Sequence, residues 1–138
     1  MIKTKITDCT LIQLPRHTNR SGSLSVVENS GLFPFDLKRV FYIYDIPGGE
    51  SRGAHAHFTC HEVLIAASGA FDVKLDDGFS TSYIRLDRPY FALHIPPGIW
   101  AEELSFSSGA ICLVLTSHLF EEEDYCRDYS TFLKLKKG

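Results

Sequence analysis

From Leu11 to Thr116 the chain is built of short apolar and β-branched runs, interrupted every few positions by Gly, Pro or Asp. Val40 to Ile46 (Val-Phe-Tyr-Ile-Tyr-Asp-Ile) is the densest of them, and Pro47-Gly48-Gly49 closes it. Such residues suit a pleated, half-buried surface. The pattern predicts strands over Leu11–Leu14, Ser23–Glu28 and Val40–Ile46, then one through a pair of histidines. Further strands are expected over Val63–Ala67, Gly69–Leu75, Tyr83–Leu86, Tyr90–Ile95 and Ala110–Thr116. Asp76-Asp77-Gly78 is a hairpin signal and Pro96-Pro97-Gly98 a second turn. Many short strands with turns between them predict an all-β barrel or sandwich. Only the tail reads as helix: Glu121 to Asp124 would open it, and Lys134, Lys136 and Lys137 would close it, as the helix dipole favours. Tyr125, Tyr129 and Phe132 would share its apolar face. With no repeat, linker or low-complexity stretch, residues 1–138 are expected to form one domain.

One segment carries chemistry. Gly49, His55, His57, Glu62 and Gly69 read G-x5-H-x-H-x4-E-x6-G. Residues i and i+2 of a strand point to one face, so His55 and His57 would project side by side. Such a pair is half a metal site or a proton-transfer pair. The spacing resembles the first motif of the cupin superfamily, small jelly-roll barrels. A metal-binding cupin completes its site with P-x-G-x2-H, and here Pro96-Pro97-Gly98-Ile99-Trp100 runs into Ala101 where that histidine would stand. His55, His57 and Glu62 remain as a two-histidine, one-carboxylate set that could hold iron. His61 and His94 would add ligands only if their strands turned them inward. Read instead as inert core, two adjacent imidazoles would still need partners for their nitrogens. Read as acid–base groups, they can exchange protons near neutral pH, as an isomerase or epimerase requires.

Bulk properties narrow the classes. The chain has 138 residues, 44% of them hydrophobic and 22% charged, ordinary for a globular domain with a real core. A net charge of −3 offers nothing to nucleic acid or an anionic membrane. No apolar run is long enough for a membrane span or an export signal. Cys9, Cys60, Cys112 and Cys126 form no C-x-x-C pair, which argues for reduced thiols and a cytoplasmic protein.

The stretches Phe35 to Asp45, Gly49 to His57, Leu75 to Gly78, Ile95 to Trp100, Phe106 to Gly109 and Asp124 to Tyr129 resemble the nucleotide-sugar 3,4-ketoisomerases, the WxcM-like cupins. That resemblance implies a cupin jelly-roll barrel with a short C-terminal helix. It implies a reaction on dTDP-4-keto-6-deoxyglucose, moving the carbonyl from C-4 to C-3 through an enediolate. His55 and His57 would share the proton transfers, with His55 as the base, and neither metal nor cofactor would be needed. Arg39 and Arg52 would meet the diphosphate, since guanidinium forks suit phosphate oxygens. Tyr42 and Tyr44, or the alternating Phe41 and Ile43, would line the sugar pocket, and Trp100 at the barrel mouth could pack on base or sugar. Ala101 and Ser21 are small where the family carries bulkier polar groups, and Glu62 stands where an amide is common. Ala101 and Ser21 bear on the configuration delivered at C-4. The family also implies a homodimer exchanging its N-terminal strand, and a 3-keto product passed to an aminotransferase for a surface glycan such as lipopolysaccharide O-antigen. Two other readings stay open: an iron-dependent oxygenase using His55, His57 and Glu62, and a non-catalytic cupin that binds a nucleotide sugar.

Overall fold

A computed structural model describes residues 1–138. The chain runs β1 (Thr10–Gln13), β2 (Arg16–Asn19), β3 (Gly22–Ser25), β4 (Arg39–Ile43), β5 (Arg52–His57) and β6 (Glu62–Ser68). It continues through β7 (Phe71–Asp76), β8 (Thr81–Leu86), β9 (Phe91–Ile95), β10 (Trp100–Leu104), β11 (Ile111–Thr116), β12 (Tyr125–Cys126) and α1 (Tyr129–Lys137). One antiparallel sheet has the order β1-β9-β6-β11-β4 and the other β12-β5-β10-β7-β8. Between them lies the main core, which includes Leu64, Phe71, Leu75, Leu93 and Val114. This is a jelly-roll barrel of the cupin kind, as the resemblance implies, where the turn spacing alone pointed to a barrel or sandwich. Strand alternation explains its two-sided packing: Leu64 and Ala66 of β6 face inward, while Val63 and Ile65 meet Leu14 and Phe33 outside.

The structure departs from the sequence pattern in four places. β3 ends at Ser25 and pairs with β2, whose polar, exposed Arg16–Asn19 carries no apolar signal. β4 stops at Ile43, and Asp45 adopts φ 54 to turn the chain. β10, starting directly after the Pro96-Pro97-Gly98 turn, is a strand where only a loop was expected. The acidic run does not open the helix: Glu122–Asp124 is a single 3-10 turn, and Tyr125–Cys126 then pairs with β5. Tyr125 therefore belongs to a strand and not to the helical face with Tyr129 and Phe132. The helix begins after Asp128, whose side chain accepts the Thr131 N–H as an N-cap.

Helix α1 and the N-terminal segment are tied to the barrel by one buried charge. Lys136 is 2% exposed, and its Nζ donates to the carbonyls of Ile2 (3.1 Å), Thr4 (2.7 Å) and Gly98 (2.8 Å). Its place in the last helical turn suits the dipole, but its main role is to bridge three separate segments.

Candidate active site

A cavity of about 180 Å³ opens inside the barrel, walled by strands of both sheets. His55 from β5, Glu62 from β6, Ala101 and Glu103 from β10 and Arg39 from β4 all line it. Arg52, Tyr125 and Arg127 line it as well. The register that assembles it is irregular: Ala101 pairs with His55 and Glu103 with Arg52, so β5 carries an extra residue between them. That bulge holds Gly53 at φ 92 and Ala54 at φ 43, the second a strained value for a residue with a Cβ.

The bulge has a chemical consequence. The Gly53 carbonyl accepts a hydrogen bond from His55 Nδ1 at 2.7 Å. A carbonyl only accepts, so the proton of the neutral ring sits on Nδ1 and the Nε2 lone pair is free. Nε2 stands 3.7 Å from Glu62 Oε1.

His57 is set the same way from behind. Its Nδ1 donates to Asp124 Oδ2 at 3.0 Å, and Asp124 also accepts from the backbone N–H groups of Thr59 and Cys60 and from the Thr59 hydroxyl. Its Nε2 is sealed from solvent without a hydrogen-bond partner, 3.5 Å from Glu62 Oε1. His57 is 6% exposed and does not line the cavity. The two imidazoles meet edge to face at 4.9 Å, and Tyr125 lies within 5 Å of both rings. Burial opposes charge on His57, yet Glu62 and Asp124 together raise its pKa above the ordinary value. Burial likewise opposes charge on Glu62, but His55 and His57 outweigh it and hold its pKa at about 2 against an ordinary 4.5. The stabilisation from Glu62 ionisation is therefore complete above about 4.5 and is lost only as pH falls towards 2. For His57 the sign is opposite: its contribution is full below the ordinary histidine value and is lost as pH rises through the elevated one.

Asp124 thus sets the ring that stands behind Glu62. Asp124→Asn weakens a charge-assisted contact of the kind that contributes at least about 1.5 kcal/mol. The expected result is a kcat about tenfold lower, with KM within about twofold, because Asp124 does not line the cavity. Steady-state kinetics at fixed pH checks it.

Several residues singled out from the sequence are placed elsewhere. Tyr42 and Tyr44 are 60% and 59% exposed on the outside of the barrel, because alternation turns Arg39, Phe41 and Ile43 inward. Trp100 also faces away: it packs on Tyr129 and Phe132 of α1 at 5.2 and 5.6 Å, and its strand neighbours Ala101 and Glu103 take the inner positions. His61 and His94 hydrogen-bond each other at 2.9 Å beside Phe35, away from the cavity. Ser21 lies exposed in the turn between β2 and β3, where its N–H donates to Asn19 Oδ1. Arg39 and Arg52 do line the cavity and make no ion pair with any carboxylate, whereas Arg127 is engaged by Glu122 at 2.6 Å. The Arg39 guanidinium rests over the rings of Phe41 and Phe120 at 4.5 and 5.3 Å.

Glu103 and Asp124 were not found from the sequence. Glu103 lies in a stretch with no strand signal, and Asp124 in an acidic run that reads as a helix N-terminus. His55, His57 and Glu62 bring three donor atoms within 4.8 Å of one another, the spacing a divalent ion needs, while Ala101 opposite His55 adds no donor. A larger groove of about 390 Å³ lies on the outer face of the first sheet, between the β2–β3 hairpin and the apolar side chains of Ile65, Leu113 and Leu115. It holds none of the titratable groups described above.

Comparison with known proteins places this geometry in context. Residues 7–137 match the family described as "FdtA: WxcM-like, C-terminal". A TDP-4-oxo-6-deoxy-alpha-D-glucose-3,4-oxoisomerase of Aneurinibacillus thermoaerophilus is 40% identical over 124 residues, covering 90% of this chain and 89% of that protein. The structure superposes on a histidine-to-asparagine variant of the 3,4-ketoisomerase QdtA from Thermoanaerobacterium thermosaccharolyticum in complex with TDP-4-keto-6-deoxyglucose. The TM-score is 0.93 at 32% identity, and the match covers 96% of each chain. It also superposes on the WlaRB TDP-quinovose 3,4-ketoisomerase from Campylobacter jejuni, with TM-score 0.88 at 40% identity over 94% of this chain and 99% of that one.

Proposed function

The chain belongs to the family of FdtA and the WxcM-like C-terminal domains, and on that premise we propose that it is a 3,4-ketoisomerase of TDP-4-keto-6-deoxyglucose built as one cupin domain over residues 1–138. The observation that carries the catalytic reading is the fixed tautomer of His55, whose free Nε2 lone pair stands in the cavity wall beside Glu62. With the sugar in the cavity, His55 Nε2 removes the proton from C-3, next to the C-4 ketone, and an enediolate forms. The imidazolium so created is stabilised by Glu62, which is ionised throughout the neutral range. It returns the proton at C-4, leaving a ketone at C-3. His57 acts as a positioning residue: Asp124 orients it, and it holds Glu62 in place from behind.

Arg39 and Arg52, free of ion pairs and lining the cavity, receive the diphosphate. Ala101 leaves open space across from His55. The outer groove and the exposed β2–β3 hairpin form the contact between two copies of the chain in a homodimer. A two-stranded hairpin is marginal in water unless it docks on something, and Tyr42 extends the apolar surface through its pairing with Leu113. In that dimer the hairpin is the N-terminal element that crosses to the partner, since β1 pairs with β9 of its own chain. Sedimentation equilibrium should give twice the mass of the chain, and removing residues 16–25 should give the monomer.

No helix is long and apolar enough to cross a membrane. All four cysteines are unpaired, which suits a reducing cytoplasm, where the 3-keto product would feed an aminotransferase. The test is proton NMR of TDP-4-keto-6-deoxyglucose in D₂O with chelator-treated protein. Loss of the C-3 proton signal and growth of a 3-keto sugar support the reading. An unchanged substrate overturns it.

A further inference from the structure

The mechanism above leaves the Glu103 carboxyl, in the cavity wall, without a task. It is 6% exposed, it lines the cavity, and it makes neither a hydrogen bond nor an ion pair within the chain. A buried carboxyl without a partner is costly unless a ligand supplies one. The fold makes room for it at the expense of strain. A Cβ at position 53 would meet Glu103 Oε2 and come within 3.2 Å of the Ala101 carbonyl, so the carboxyl lies directly against the glycine of the β5 bulge. The same bulge supplies the carbonyl that orients His55. One irregularity therefore positions two groups on one cavity.

We propose that Glu103 is a second catalytic residue, a neutral carboxylic acid that carries the proton between the two substrate oxygens while His55 serves the two carbons. This rests on the ketoisomerase reading above. The reaction needs such a group, because the hydroxyl proton must leave O-3 and one must arrive at O-4. His57 is badly placed for it, with Nδ1 committed to Asp124 and Nε2 sealed from the cavity. A carboxyl has two oxygens and can donate from one while it accepts on the other.

The steps balance as follows. His55 Nε2 takes the C-3 proton, and the C–H electron pair becomes the C-3–C-4 double bond. The carbonyl π pair of C-4 takes the Glu103 proton and becomes the O-4–H bond. The Glu103 carboxylate then takes the O-3 proton, and the O–H pair becomes the C-3 carbonyl. The double-bond pair takes the proton from the His55 imidazolium and becomes the C-4–H bond. Both residues end as they began.

The surroundings suit a neutral acid. Burial first, and then the charge of Glu62 on β6, push the Glu103 pKa to about 8, with His55 and Arg52 on β5 opposing and Glu102 adding to the rise. Cys112 on β11 is held as a neutral thiol, its own pKa raised by burial and by Glu103 and Glu62. Arg39, Tyr125 and Arg127 face the same cavity.

Glu103→Gln keeps the shape and a hydrogen-bond donor but has no proton to pass. Expected is a fall in isomerisation of about 100-fold, with exchange of the C-3 proton into D₂O falling by less than about tenfold, because His55 and an enolate-stabilising donor both remain. The pH profile adds a second readout. Wild-type kcat should decline above pH of about 8 as Glu103 ionises, and Glu103→Asp should keep an alkaline limb at reduced rate while Glu103→Gln loses it. Equal losses of exchange and isomerisation, or activity of Glu103→Gln within about threefold of wild type, overturn the shuttle. An inert wild-type protein would instead bring down the ketoisomerase reading itself.

Discussion

Replacing His55 with asparagine should lower turnover of TDP-4-keto-6-deoxyglucose by about a thousandfold, close to 4 kcal/mol of transition-state stabilisation. The reason lies in one lone pair. Nδ1–H of His55 is bound to the Gly53 carbonyl, which leaves Nε2 as the basic atom at the cavity wall. Asparagine fills similar space and can donate to the same carbonyl, yet its amide accepts no proton near neutral pH. Exchange of the C-3 proton should vanish together with isomerisation, in contrast to the split expected for Glu103→Gln. Affinity for TDP, measured by calorimetry, should stay within about threefold, because Arg39 and Arg52 are untouched. A variant that still exchanges C-3 hydrogen within about tenfold of wild type would show that the base is another group.

The second large effect concerns stability. Lys136→Met should destabilise the protein by about 3 kcal/mol, since three carbonyls, that of Gly98 buried and those of Ile2 and Thr4 partly buried, lose their common donor. For a chain of this size that is a fall of about 10 °C in Tm. Methionine matches the length of the stem and keeps its apolar contacts, so the loss reports the ammonium and its hydrogen bonds. Burial lowers the Lys136 pKa, and Asp77 opposes that shift. The variant should also free the N-terminal segment, because the Ile2 and Thr4 carbonyls are two of the three acceptors. Faster amide exchange confined to residues 2–9 and α1 would mark that release, and an unchanged Tm would refute the bridging role. The same substitution should leave kcat close to wild type, since Lys136 stands outside the cavity.

These two residues show how unevenly function and stability were legible. His55 was found because its chemistry is local: two imidazoles at i and i+2 of a strand must share a face, whatever the rest of the chain does. Lys136 was read only as one of three basic residues ending a helix. Its partners lie 134, 132 and 38 residues away. No periodicity reports such a contact.

The same division runs through the whole molecule. By itself the sequence determined most of the strands, the turns at Asp76-Asp77-Gly78 and Pro96-Pro97-Gly98, the histidine pair and the absence of a histidine at Ala101. Each depends on intrinsic backbone preference or on alternation within a few residues. Only the tertiary structure decided that Trp100 packs on α1, that Phe41 and Ile43 and not the tyrosines face inward, and that Asp124 meets His57 across 67 residues. It also decided that Glu103 is buried without a partner. Sheet order and a one-residue bulge in β5 control those outcomes. A shift of one residue exchanges the two faces of a strand, so which side chains enter the barrel follows from how the strands pair across the chain and not from the composition of any one of them.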